Sequence, residues 1–126
     1  MVSVSADDLE AVLNLTGTPP SETVEKIIDL AIDMLNLFGA AISNMTGDEG
    51  AKTVTLTSKE KAAVFVGARA IYYGFYKGID NLALAGLSIT ESDLMGNSEV
   101  MNTIRQAAKR LEQHEGVAFM VGEATS

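Results

Sequence analysis

Residues 61–77 read KAAVFVGARAIYYGFYK, and this stretch decides the fold. Its spacing predicts a helix on which apolar or small residues occupy nearly every side, with Arg69 the one interruption inside the run. A surface helix pairs an apolar stripe with a polar face, so a helix that is apolar all round must be covered by several neighbours or by another subunit. Gly67 and Gly74 lie one heptad apart, flanked by Ala63 and Ala70, a pattern that lets a second helix backbone come close. The segment is therefore either the central helix of a single-chain bundle or, in part, a subunit interface. For the interface the candidate residues are Gly67, Ala70, Gly74, Tyr73 and Tyr76.

Immediately upstream, Thr57-Ser58-Lys59-Glu60 has the form of a capping box that opens this helix, and Gly78 is placed to stop it. Before the cap, residues 52–57 alternate Thr53, Val54, Thr55, Leu56 and Thr57, the period of a half-buried strand rich in β-branched side chains. A single strand leaves backbone donors and acceptors unpaired, so it needs a partner. The candidates are residues 87–90, residues 117–121 or a neighbouring subunit, and the last adds Val54 and Leu56 to the interface set.

Farther toward the amino terminus, Val24, Ile27, Ile28, Ala31, Leu35 and Phe38 recur at helical spacing, predicting a helix from Ser21 to about Ser43. Glu22, Glu25, Lys26, Asp29 and Asp33 fill its opposite side. A second apolar set, Leu30, Met34, Leu37 and Ala41, widens the stripe enough for two packing partners. The Asn44–Gly50 segment is a turn by composition. Ser5-Ala6-Asp7-Asp8 resembles a capping box before a short helix over residues 6–15, with Leu9, Val12 and Leu13 inward and Gly17 as its stop. Thr18-Pro19-Pro20-Ser21 then forms a rigid entry to the next helix.

On the carboxy-terminal side, residues 79–96 read as a long connection whose Leu82, Leu84, Leu87 and Ile89 pack over the helices. Asn97 or Ser98 caps a last helix to about Glu115, buried through Met101, Ile104, Ala108 and Leu111 and ended by Gly116. Beyond it Val117, Phe119, Met120 and Val121 form an apolar tail, read as a strand folded back on the subunit or as an element added to another protein. The expected fold is all-α: a small bundle of about four helices with a short strand or hairpin and an extended carboxy-terminal tail. Residues 1–116 make the domain and 117–126 the tail.

Bulk composition narrows the function. A chain of 126 residues fits one domain, and with 47% apolar and 21% charged residues it is globular rather than disordered. Seventeen acidic side chains face nine basic ones, a net charge of −8, which argues against a surface that neutralises nucleic-acid phosphates. Cysteine is absent, which removes thiolate metal sites, disulfides and cysteine nucleophiles. The opening MVSVSADDLEAVL lacks the basic segment and apolar core of a secretory signal, and residues 62–76 are too few to cross a bilayer, which takes about 20. The chain is thus expected to stay in the cell that makes it, with no membrane contact.

Catalytic patterns are missing as well. His114 is the only histidine and stands in the last predicted helical turn, where a cation favours the helix dipole. No phosphate-binding loop, dinucleotide fingerprint, HExxH or calcium-loop spacing occurs. Asp7, Asp8 and Glu10, like Asp48 and Glu49, are assigned to capping and turn formation rather than to a cation. Asn14-Leu15-Thr16 and Asn44-Met45-Thr46 match the glycosylation pattern, which carries nothing without a secretory signal. The aromatic set Tyr72, Tyr73, Phe75 and Tyr76 is read as core or interface. Neither catalysis nor a cofactor is expected.

In its order of elements the chain resembles the head-to-tail connector, or adaptor, proteins of tailed viruses. The resemblance runs from Ser5 to Glu115 and rests on SADDLEAVLNLTG, ETVEKIIDLAIDMLNLFG and KAAVFVGARAIYYGFY before a final helix. It implies a structural virion protein, made in the host cytoplasm and placed in the neck between capsid and tail. There it would form a ring of about a dozen copies below the portal protein, with a stopper or tail-completion protein on its other side. DNA would pass through the lumen without specific binding, and Val117, Phe119, Met120 and Val121 would contact the portal. The competing expectation is a small helical regulatory or ligand-binding module of a soluble cytoplasmic protein, with a pocket near Tyr72–Tyr76.

Overall fold

A computed structural model describes residues 1–13, 21–76 and 89–125, of which 112–125 are described by their backbone. Strand β1 (Val2–Ser5) leads directly into helix α1 (Ala6–Leu13), followed by α2 (Ser21–Leu37), strand β2 (Thr53–Leu56) and α3 (Ser58–Ile71). One wider π turn (Tyr72–Tyr76) continues α3; a short α4 (Glu91–Met95) and a long α5 (Ser98–Thr125) complete the order. Helices dominate and the sheet has two strands, the mostly α architecture expected from the pattern. The predicted stops at Gly17 and Gly78, the Thr18-Pro19-Pro20 entry, the Asn14 acceptor pattern and the Leu82, Leu84 and Leu87 run lie outside the described residues.

Helix α3 is the hub. It packs against α2 and α5 along most of its length and touches α1 and both strands. Its capping box forms as the sequence predicts: the Glu60 amide donates to Thr57 Oγ1 at 3.1 Å and the Thr57 amide donates to Glu60 Oε1 at 2.9 Å. Ala63, Val64, Ala68 and Ile71 are buried in it. A Cβ on Gly67 would stand 3.3 Å from Ala31 Cβ of α2 and 3.6 Å from Ile104 Cγ1 of α5, so the missing side chain is what lets three helices converge there. Burying these apolar faces supplies the main driving force, about 25 cal/mol for each Å² removed from water.

Helix α2 ends sooner than its pattern suggests. Gly39 adopts φ +107°, the Ala40 amide donates to Leu35 O and the Gly39 amide to Asn36 O, each at 3.1 Å. This is a Schellman cap, which only a residue at ease in the left-handed region makes cheaply. Ala41 therefore lies beyond the helix and is exposed, as is Leu37, while Met34 is buried and Leu30 half-buried.

Within the chain the pairing of β2 differs from the expectation, and residues 117–121 are helical rather than a partner strand. The strand that pairs with β2 is β1, antiparallel, with Val2 opposite Leu56 and Val4 opposite Val54. Thr46 and Thr53 exchange two further backbone bonds of 2.9 Å on the far side. Val4, Val54 and Leu56 are all buried, so the pleat places its alternate residues on the helices. In the sequence VSVS alternates over too few residues to stand out as a strand. Ser5 makes half of the predicted box, its amide donating to Asp8 Oδ2 at 2.8 Å. Leu9 and Leu13 are buried, but Val12 is exposed.

The carboxy-terminal region differs most. Residues 90–95, read as connection, contain α4 with its own box: the Asp93 amide donates to Thr90 Oγ1 at 3.2 Å and the Thr90 amide to Asp93 Oδ2 at 2.9 Å. Leu94 inserts completely into the core. Asn97 caps α5 by accepting from the Val100 amide at 3.1 Å, and Val100, Ile104, Ala107, Ala108 and Leu111 are its buried side. The helix does not stop at Gly116. Val117, Phe119, Met120 and Val121 belong to α5, which corrects the extended tail: a glycine in a helix costs only about 1 kcal/mol relative to alanine, so Gly116 is not by itself a stop.

Candidate functional site

The seven interface candidates divide cleanly. Val54 and Leu56 face the chain's own helices, Gly67 sits at the three-helix crossing, and Tyr76 is 2% exposed. These four are buried within the subunit itself. Ala70, Tyr73 and Gly74 instead line an open groove between α3 and α5. Helix α3 is thus covered by its own chain on most sides, and the part left over is a stripe through Ala62, Val66, Arg69 and Tyr73, all exposed.

The groove follows from antiparallel packing of small residues. Gly74 lies against Val100, where a Cβ would come within 2.7 Å of Val100 Cγ2. At the other end Ala62 and Ala63 face Ala107 and Leu111. One part has a volume of about 420 Å³ and the other about 160 Å³, and Val66 lines both. Its floor is apolar. Among the described residues its margin carries Lys59, Arg69 and Arg110 against one acid, Glu99, a positive strip on a chain of net charge −8. Arg69 lies 5.4 Å over the Tyr73 ring, a cation–π arrangement that orders both side chains.

The aromatic set is shared between core and groove. Tyr72 stacks on Tyr76 at 6.5 Å and meets Tyr73 edge-on at 5.6 Å. Burial pushes the Tyr76 hydroxyl above its ordinary pKa. The π turn inserts an extra residue per turn, so the neighbours Tyr73 and Tyr76 serve opposite sides: one rims the groove, the other fills the core.

The polar face of α2, opposite its apolar stripe, holds the loop before β2. Glu25 is 2% exposed and its carboxylate accepts from the Gly50 and Lys52 amides, each at 2.9 Å. One turn on, Asp29 accepts from the Met45 amide at 2.9 Å, and Asp33 accepts from Asn44 Nδ2 at 3.0 Å. Asn36 exchanges bonds with both backbone groups of Ile42 at 2.8 and 2.9 Å. This ladder straps the loop before β2 to the helix and accounts for part of the acidity as structure. Gly47 and Gly50, at φ +118° and +89°, supply the turns that the strapped loop needs.

Among the remaining acids, one oxygen of Glu10 is shielded from water with no hydrogen-bond partner among the described residues. Burial first, and then the charge of Asp7, raise its pKa above the ordinary value. Asp93 titrates below its ordinary value, chiefly because the Thr90 backbone donates to it. Among the described residues no cluster of histidine, cysteine and carboxylate ligands could hold a metal, and no helix is long and apolar enough to cross a membrane. The residues that the sequence did not mark for the groove are Val66, Val100, Thr103 and Ala107; their signal was the small, apolar character of both helices, legible only once the helices were paired. The chain matches no family model, no curated protein and no solved structure.

Proposed function

We propose that this chain is a structural assembly protein, and in its specific form the head-to-tail adaptor of a tailed virus: a ring subunit between portal and stopper, in the neck of the virion. The observation that carries it is the exposed apolar seam on the hub helix. Val66 and Tyr73 remain 37% and 41% exposed on a helix otherwise covered on every side, and an apolar channel with a charged margin fits a protein partner. The order of elements that underlies the resemblance adds support: a short helix, a long helix, a turn with a strand, an apolar helix and a final helix. The groove runs open along two helices instead of closing around a small ligand, which favours a macromolecular partner over the ligand-binding module.

In this reading the seam is a contact between neighbouring copies, the far end of α5 is the outward contact element, and DNA crosses the lumen without sequence recognition. Native mass spectrometry with negative-stain imaging of the full chain tests it. Closed rings of defined mass are expected. A strictly monomeric protein at every concentration up to the solubility limit rejects it.

A further inference from the structure

The groove beside α3 is apolar within and of one sign at its margin. Arg69 stands over the Tyr73 ring at the edge of the 420 Å³ hollow lined by Val66, Ala70, Gly74 and Val100, and Lys59 and Arg110 stand farther along. Among the described residues Glu99 is the one acid that lines it. Two copies laid groove to groove about a two-fold axis would bring like charges together. An acidic occupant with an apolar face is favoured instead.

Helix α1 has that character. Asp7 and Asp8 stand four residues before Ala11 and Val12, so two carboxylates and two apolar side chains share one side of the helix. Asp7, Ala11 and Val12 are exposed, Val12 to 49%. Of the described helices of two turns or more, α1 is the one that carries neither lysine nor arginine. The charge of Asp7 also contributes to the raised pKa of Glu10, a repulsion that a guanidinium brought from another chain relieves. Buried Leu9 and Leu13 fix α1 on the α2 and α3 of its own subunit, so it cannot turn into its own groove.

We propose that α1 of one copy lies in the α3–α5 groove of the next copy, with Ala11 and Val12 on the apolar floor and Asp7 toward Arg69. Charge is complementary, acid on the helix against base on the margin. Length agrees as well: α1 spans roughly 12 Å, and so does the stretch from Val66 to Gly74 that lines the hollow. Each copy then gives one helix and receives one, a heterologous contact that closes into a ring when the rotation per step closes. This proposal rests on the assembly reading and specifies its contact.

The chain has no cysteine, so introduced thiols report contact without background. Full-length Val12→Cys and Val66→Cys proteins are mixed in equal amounts and mildly oxidised; Asp48→Cys, on the exposed turn, replaces Val12→Cys as a control. The expected result is a disulfide-linked heterodimer from the first mixture in several-fold excess over the control. Arg69→Glu in the groove partner should lower that yield about tenfold, because it sets like charge against Asp7, and Asp7→Arg in the other partner should restore most of it. Rings of normal mass with no 12–66 link overturn this contact and leave the assembly reading standing. A dominant 66–66 link, which marks groove-to-groove pairing, overturns it too, as does equal linking in the control or no recovery on the Asp7→Arg exchange. Monomers without a link reject the contact and the assembly together.

Discussion

Removing the Glu25 carboxylate tests whether the acidic face of α2 is structural. Its two oxygens receive the Gly50 and Lys52 amides at 2.9 Å each from a site 2% exposed. A hydrogen bond to a charged group contributes about 1.5–3 kcal/mol net. Gly50 is exposed, so its amide regains water when the acceptor goes, which lowers the total for the pair to about 2–4 kcal/mol. For a domain of this size, Glu25→Ala should lower the melting temperature by roughly 8–15 °C. Glu25→Gln keeps one acceptor but turns an NH₂ toward the other amide, and should lose about half as much. Urea unfolding followed by far-ultraviolet circular dichroism gives the free energies, and amide hydrogen exchange at Gly50 and Lys52 locates them. A Glu25→Ala protein within about 0.5 kcal/mol of wild type, the scatter of ordinary surface substitutions, with protection at both amides unchanged, refutes the strap.

Two further outcomes follow from the core and the shielded acid. Leu94→Ala should cost about 2–4 kcal/mol in urea unfolding, because Leu94 is fully buried and anchors a helix of one turn; a loss below about 1 kcal/mol would show that α4 does not dock on the core. Glu10→Gln should stabilise the protein at pH 7. Its raised pKa means that the folded state binds the proton more tightly than the unfolded state, so the wild-type penalty is present above the raised value and disappears as pH falls below the ordinary 4.5. Thermal melts of both proteins from pH 7 to pH 4 should converge, and a difference that widens toward acid refutes the assignment.

What could be read from the sequence was whatever periodicity or capping chemistry states locally. The 57–60 box, the hub helix and the apolar face of α2 through Val24, Ile28, Ala31 and Leu35 are of that kind. Pairing between distant segments was not legible. Val2–Ser5 meets Thr53–Leu56 because both present valines to the same helices, a fact of tertiary packing that neither stretch states alone. Glu25, Asp29 and Asp33 looked solvated because charge on one helix face usually is, and only the position of the loop turns them into acceptors. Glycine misled in both directions: Gly39, inside an apolar pattern, ends a helix, while Gly116, after one, does not. The groove was half legible, since Ala70, Tyr73 and Gly74 stood out on α3 but their opposite wall depended on which helix came alongside.

The ladder on α2 holds its loop mostly by main-chain amides, at Ile42, Met45, Gly50 and Lys52. Such a hold is blind to what the loop residues carry. Asp48 and Glu49 can therefore change freely while the turn keeps its path, which makes the tip a tolerant place for variation or for an inserted epitope on an otherwise fixed scaffold.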